Sequence, residues 1–276
     1  MRIDAHQHFW HYSEAEYGWI GPAMAILKQD RLPHDLAPIL QEQGLDATVA
    51  VQARQTVEET AWLLALAEQT PFIKGVVGWV DLRSPKLRDQ LERFCAFPKF
   101  RGVRHVVQDE ADDRFMLGED FCRGIGILAD FSLVYDLLIF PKHLPVACEL
   151  VARFPDQPFV LDLIAKPFIK RGSVTPWGAG IRRLAAFPNV SCKVSGMVTE
   201  ANWVQWRNSD FVPYLDIVFE AFSPERIMFG SDWPVCTVTG NYSAVADIVS
   251  DYVSQLSEYE QADVWGGTAV RVYGIG

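Results

Sequence analysis

The sequence predicts a single (β/α)8 TIM barrel, an α/β fold that takes residues 1–276 as one domain. Three observations carry this. Eight short apolar runs alternate with amphipathic stretches along the whole chain. Each run and the stretch after it fill roughly 30 residues, the size of one strand–helix repeat. The length of 276 residues is that of one such barrel rather than of two ordinary domains. A doubly wound open sheet is the competing architecture, and no GxGxxG follows the first run to support it.

Taken in order, the strands are expected at Arg2–Phe9, Ala47–Arg54, Ile73–Asp81, Phe100–Gln108, Ser132–Phe140, Phe159–Lys166, Val190–Gly196 and Ile227–Trp233. Each is a short run rich in Val, Ile, Leu and Phe, as a strand buried on both faces requires. Helices are expected at Val57–Gln69, where Trp62, Leu63, Leu66 and Ala67 share one face, and at Leu87–Phe97, Asp120–Ala129, Pro145–Phe154, Ile181–Phe187, Phe211–Phe222 and Ser243–Gln255. A further short helix is expected near Glu258–Tyr273. Thr56-Val57-Glu58-Glu59 fits a capping box, and Ser84-Pro85 offers a cap followed by a first-turn proline. Trp10–Pro33 and Met197–Asp210 are too long for simple connections. Both follow a strand, so both belong on the catalytic face of a barrel.

Composition narrows the function. Hydrophobic residues make up 49% and charged residues 22%, which suits a large buried core and not disorder. A net charge of −10 without a Lys/Arg cluster argues against nucleic-acid and anionic-membrane partners. The five cysteines are scattered, with no CxxC pair, and read as reduced thiols. No signal sequence precedes the first strand and no run of 18 apolar residues exists, so the cytoplasm is the expected location. The oligomeric state is left open.

The chemistry centres on the first strand, MRIDAHQHFW. Alternate residues share a face, which puts Asp4, His6 and His8 together and aims two imidazoles at one place. The last strand, RIMFGSDWPV, sends Met228, Gly230 and Asp232 inward, and Phe229, Ser231 and Trp233 outward. Closure of a barrel pairs strand 8 with strand 1 and brings Asp232 beside His6 and His8. A carboxylate flanked by imidazoles suits a general base acting on water. His6, His8 and Asp232 are also a ligand set that, with one water, binds zinc. A divalent metal is therefore left open, and so is activity without one.

An inward Arg104 would meet an anion or a carbonyl, or pair with a strand carboxylate such as Asp81. Gln52 and Arg54 end the second strand on one face and join it as substrate contacts. His105 reads as a packing residue. Lys166 and Lys193 stand near strand ends as substrate contacts or rim charges. The long connections carry Trp10, Tyr12, Tyr17, Trp19, Trp203 and Trp206. Trp10 and Trp203, with Trp233, are expected to stack on substrate, although aromatics there also serve simply to cap a barrel.

IDAHQHFW, RGVRHVVQDE, KVSGMVTEANW and FGSDWPV together resemble the amidohydrolase superfamily, in particular its L-fuconolactone and L-rhamnonolactone hydrolase branch. The resemblance spans the first strand to the last helix. It implies a barrel that opens a sugar lactone to the aldonic acid. By position, His6 and His8 match the strand 1 pair, Asp232 the aspartate that activates water, and Arg104 a substrate-contacting arginine. One departure stands out: where the branch carries Asp-His before Lys-Pro on strand 6, this chain has Asp162-Leu163. The similar pyrone-dicarboxylate lactonase is understood to need no divalent metal, and Leu163 moves the expectation the same way. Two alternatives follow: a metal-dependent decarboxylase of the same superfamily, and a barrel that binds a sugar acid with catalysis weakened by Leu163.

Overall fold

Eight strands pair in sequence order in one all-parallel sheet. In the computed structural model, which describes residues 1–276, they are β1 (Ile3–Gln7), β2 (Ala47–Val51), β3 (Ile73–Gly78), β4 (Phe100–His105), β5 (Val134–Leu137), β6 (Phe159–Leu161), β7 (Val190–Val194) and β8 (Ile227–Phe229). The sheet closes where Gln7 bridges Trp233 in parallel. Two backbone hydrogen bonds span that seam, His8 N–H to Trp233 O at 2.7 Å and Asp232 N–H to His6 O at 2.8 Å. The barrel is thus as the sequence predicts. Every strand falls inside its expected run but stops short at the C-terminal end, because there the backbone leaves the ladder to build the site.

Helices cover the outside: α1 (Pro33–Glu42), α2 (Val57–Gln69), α3 (Leu87–Cys95), α4 (Glu119–Leu128), α5 (Leu144–Arg153), α6 (Trp177–Ala185), α7 (Met197–Glu200), α8 (Val212–Phe222), α9 (Tyr242–Val253), α10 (Glu258–Ala262) and α11 (Thr268–Tyr273). The apolar faces of α1 to α6, α8 and α9 meet the outward strand residues in one continuous core, while α11 closes the barrel floor. Helix α2 shows the logic: Leu63, Leu64 and Ala67 are fully buried against it. Truncating either leucine to alanine removes about 2–5 kcal/mol. The Thr56 hydroxyl caps the helix by accepting from Glu59 N–H at 3.1 Å. The reciprocal half of the expected capping box is missing, because the Glu59 carboxylate turns instead to Ala53 and Arg54.

Inside the barrel the floor is apolar. Ile3, Ala5, Val49, Val77, Val160 and Met228 pack with Tyr273 and Ile275, which return from the C-terminal helix. Strand β1 departs from strict alternation. Its register with β2 shifts between Asp4 and Gln7. Ala5 and His6 both face inward as a result, while Asp4 points outward. There the Asp4 carboxylate accepts from Ser231 N–H (2.9 Å), Ser231 Oγ–H (2.6 Å), His6 N–H (3.1 Å) and Tyr242 O–H (2.7 Å). The expected shared face of Asp4, His6 and His8 is corrected accordingly: only the histidines face the interior, and Asp4 staples the β1–β8 seam from outside.

No helix is long and apolar enough to cross a membrane.

Candidate active site

Above the apolar floor lies a layer of buried charge. Lys193 of β7 reaches Asp136 of β5 at 2.5 Å and Asp162, just beyond β6, at 3.0 Å. Arg104 of β4 meets the other Asp162 oxygen at 3.0 Å, and the Tyr273 hydroxyl donates to Asp136 at 2.9 Å. Two cations thus face two carboxylates with no solvent between them. Burial alone would raise the Asp162 carboxyl, but Lys193, His6 and Arg104 outweigh it and hold it well below the carboxylate range. Asp136 is pushed up to about 6 by burial, against the pull of Lys193. Lys193 is therefore neither a substrate contact nor a rim charge; it neutralises the barrel centre. Arg104 pairs with Asp162 and not with Asp81, which meets Arg83 at 3.4 Å.

The next layer up holds the reactive groups. His6 and His8 stand edge to face, with ring centroids 5.1 Å apart. Asp232 Oδ1 is 3.3 Å from His8 Nε2 and 3.8 Å from His6 Nε2. Closure of the barrel does bring these three together, as expected from the strand pattern. Burial lowers the His6 imidazole to about 4, so it is neutral near pH 7. For Asp232, burial works upward, yet the His8 hydrogen bond and the charges of His6, His8 and Lys166 prevail and keep the carboxyl below its ordinary value.

Tautomers follow from the partners. His8 Nδ1 lies 2.8 Å from Val51 O, and a carbonyl only accepts, so Nδ1 carries the proton. In neutral His8 the Nε2 lone pair then faces the Asp232 carboxylate, and two acceptors oppose each other at 3.3 Å. His6 Nδ1 faces Asp162 at 3.4 Å, which leaves its Nε2 lone pair toward Arg104 and Asp232. The arrangement calls for positive charge between the rings and Asp232, supplied either by a proton on His8 or by a cation. All three donor atoms lie within 4.8 Å of one another. Two neutral imidazoles and a carboxylate are a set that zinc accepts, so these residues fit a divalent ion.

Leu163, in place of the histidine that the resemblance implies, closes one side. It begins an unusual turn: Leu163, Ile164, Ala165 and Lys166 all have positive φ, between 45° and 59°. Each such L-residue costs roughly 1–2 kcal/mol, and the β-branched Ile164 more than most. The turn presents Leu163 and Lys166 to the cavity together. Gly196, at φ +62°, lies opposite, and a Cβ there would meet Leu163 Cδ2 at 2.5 Å and Asp232 Oδ2 at 3.2 Å. Strain of this kind collects where a site is built.

A cavity of about 760 Å³ opens over the cluster at the C-terminal face. His8, Arg104, Leu163, Lys166 and Asp232 form its inner end. Trp203, Glu200, Arg54, Gln55, Glu16 and Trp19 form its outer walls. Arg104 is 3% exposed, and its Nε has no partner within the fold. Lys166 sits 3.9 Å from Glu200, whose carboxyl is raised by burial.

Three expected substrate contacts do not reach this cavity. Trp10 is fully buried with Tyr17, Ile20 and Leu27, and its Nε1–H donates to Gln29 O at 2.9 Å. It is the core of its own connection, because its N–H and C=O pair with Arg31 and turn the ring away. Trp233 follows the strand alternation outward and packs on Phe9, centroids 6.0 Å apart. Gln52 is buried behind Arg104; its side-chain N–H donates to Arg104 O at 3.2 Å, and its main-chain oxygen accepts from Arg104 Nη2. Its contribution is to aim the guanidinium. Arg54 and Trp203 do line the cavity. His105 is a packing residue as expected, stacked on Phe115 and bonded to Trp79 and Glu110.

Asp136 and Glu200 escaped the sequence reading, Asp162 entered it only as the neighbour of Leu163, and Glu59 only as part of a capping box. For Asp136 and Asp162 a signal existed, since each stands two places after an inward-facing valine, Val134 and Val160.

A family model described as amidohydrolase matches residues 3–275, and the chain belongs to that family. It is 43% identical to an L-fucono-1,5-lactonase of Burkholderia multivorans, covering 100% of this chain and 96% of the relative. It is 36% identical to an L-fucono-1,5-lactonase of Burkholderia ambifaria, with the same coverage. Among solved structures, an amidohydrolase from Burkholderia multivorans superposes over the whole of both chains at 44% identity, with a TM-score of 0.96 in a form with bound HEPES and 0.95 in a form with bound Zn.

Proposed function

We propose that this amidohydrolase opens a sugar lactone of the L-fucono type to its aldonic acid. The observation that carries the reading is the meeting of Asp232, His8 and Arg104 at the inner end of one cavity. The similarity to two L-fucono-1,5-lactonases over the full chain supports the substrate class.

In this reading Asp232 takes a proton from water as the water oxygen attacks the lactone carbonyl carbon. Arg104, aimed by Asp162 and Gln52 and lining the cavity, stabilises with its guanidinium charge the oxyanion that forms. Collapse breaks the bond to the ring oxygen, and Asp232 returns its proton to that alkoxide, which becomes the sugar hydroxyl. The new carboxylic acid then ionises and releases one proton to the solvent. His8, which lines the cavity 3.3 Å from Asp232, orients the water, and His6 packs edge to face against His8 from behind. Trp203 offers an apolar face to the sugar ring, while Lys166, Glu200 and Arg54 offer hydrogen bonds to its hydroxyls. His6, His8 and Asp232 are the residues that would hold a divalent ion. The chemistry such an ion supplies is polarisation of a carbonyl and a more acidic water.

The test is acid release from a panel of sugar 1,4- and 1,5-lactones, followed with a pH indicator and corrected for spontaneous hydrolysis. Turnover of L-fucono-1,5-lactone is expected. Lactones that bind and stabilise the protein without acid release would point to a sugar-acid binding barrel instead.

A further inference from the structure

One side of the cavity's outer wall is made by two connections with separate origins. Glu16 and Trp19 come from the one between β1 and α1; Ala53, Arg54, Gln55 and Thr56 come from the one between β2 and α2. One fully buried carboxylate, Glu59, touches both. Its Oε2 accepts from Ala53 N–H at 3.0 Å and Arg54 N–H at 2.7 Å. Its Oε1 accepts from the Tyr17 hydroxyl at 3.4 Å and lies 3.8 Å from Arg54 Nε. The Arg54 guanidinium stacks over the Tyr17 ring at 5.4 Å, pairs with Glu16 on its far side, and has no hydrogen-bond partner for its Nε. Glu59 does not itself line the cavity. It stands behind the wall and gives up its ordinary capping role to do so.

We propose that Glu59 is a positioning residue for substrate binding: its carboxylate ties the Ala53–Arg54 backbone to Tyr17 of the other connection, and its charge draws the Arg54 guanidinium onto the cavity wall. This rests on the reading of the cavity as the lactone site. The charged groups facing Glu59 are Arg54 from its own connection and Arg104 from β4, with Glu16 beyond Arg54; the Tyr17 hydroxyl faces it as a neutral donor. Burial pushes the Glu59 carboxyl up to about 7, against the pull of the two N–H groups and the two arginines. The charge that holds Arg54 is therefore largely present at pH 8, half present near pH 7 and lost as the pH falls below that value. Arg54 then keeps Glu16 alone, and Glu16 is half exposed.

Glu59→Gln keeps an oxygen for the two N–H groups and removes the charge at every pH. Initial rates on L-fucono-1,5-lactone between pH 5.5 and 8 are expected to show KM higher in the variant at pH 8, on the order of fivefold for one partly buried ion pair, with kcat within about twofold. The wild-type KM should climb to the variant's value as the pH falls, and the variant's KM should be flat. Amide exchange of residues 10–31 and 53–56 reads the same tie without substrate. It should be faster in the variant at pH 8 and equal in both proteins at pH 5.5. Superimposable exchange in the two proteins at pH 8, or the same pH dependence of KM in both, overturns the assignment. A wild type that hydrolyses no lactone overturns the functional reading alone, because the exchange comparison still decides the role of Glu59.

Discussion

Replacing Asp232 by asparagine separates proton transfer from packing. The carboxylate is 3% exposed, and its Oδ1 lies 3.3 Å from His8 Nε2. Asparagine has the same shape, and its amide N–H would donate to the His8 lone pair that the carboxylate opposes. The substitution also removes a buried charge, so the fold gains or loses little. In the proposed mechanism the chemistry loses its base. General-base catalysis contributes about 10²–10⁴ in rate, which is roughly 2.7–5.4 kcal/mol of barrel-imposed barrier lowering at ~1.36 kcal/mol per decade. Acid release from L-fucono-1,5-lactone is expected to fall in kcat by that factor, with KM changed far less. The melting temperature should stay within about 3 °C, the shift that ~1 kcal/mol produces in a chain of this size. A folded Asp232→Asn enzyme that keeps more than a tenth of wild-type kcat would refute the assignment of the base.

Lys193→Met strips the only lysine from the buried charge layer and leaves Asp136 and Asp162 underneeded by cations. Breaking a buried pair costs about 3–5 kcal/mol, read as a lower denaturant midpoint. The cost should be larger at pH 8 than at pH 5, because without Lys193 the already raised Asp136 carboxyl takes up a proton more readily as the pH falls. A loss below about 1 kcal/mol at both pH values would contradict the role given to Lys193. Leu163→His places an imidazole beside Asp232 at a backbone position, φ 53°, that histidine adopts more readily than leucine. Zinc retained after dialysis is expected to rise, measured by elemental analysis, and unchanged zinc content would show that position 163 does not limit metal binding.

Much of this was legible in the chain. The strand–helix alternation announces the barrel, and strand alternation plus closure places Asp232 against His6 and His8 across more than two hundred residues. Legibility stops where the backbone leaves regular geometry. The register shift in β1 sends Asp4 outward, and nothing in IDAHQH marks it. The left-handed turn from Leu163 to Lys166 contains no glycine to betray it. Trp10 and Trp233 look like ring-stacking residues because aromatic character says nothing about which way a side chain leaves an irregular connection. The layer of Arg104, Asp136, Asp162 and Lys193 depends on partners from four strands, and pairing of that kind is visible only in three dimensions.

The β1–β8 seam makes the cylinder unequal around its circumference. Seven strand pairs hold by ladders, whereas the eighth holds by a single bridge and by the grip of Asp4 on Ser231 and Tyr242. Local opening follows the weakest cooperative contact and not the average one. The cheapest way for this barrel to part is therefore along the line with His6 and His8 on one lip and Asp232 on the other. Gentle warming is then expected to draw Asp232 away from His6 and His8 while most of the walls still stand.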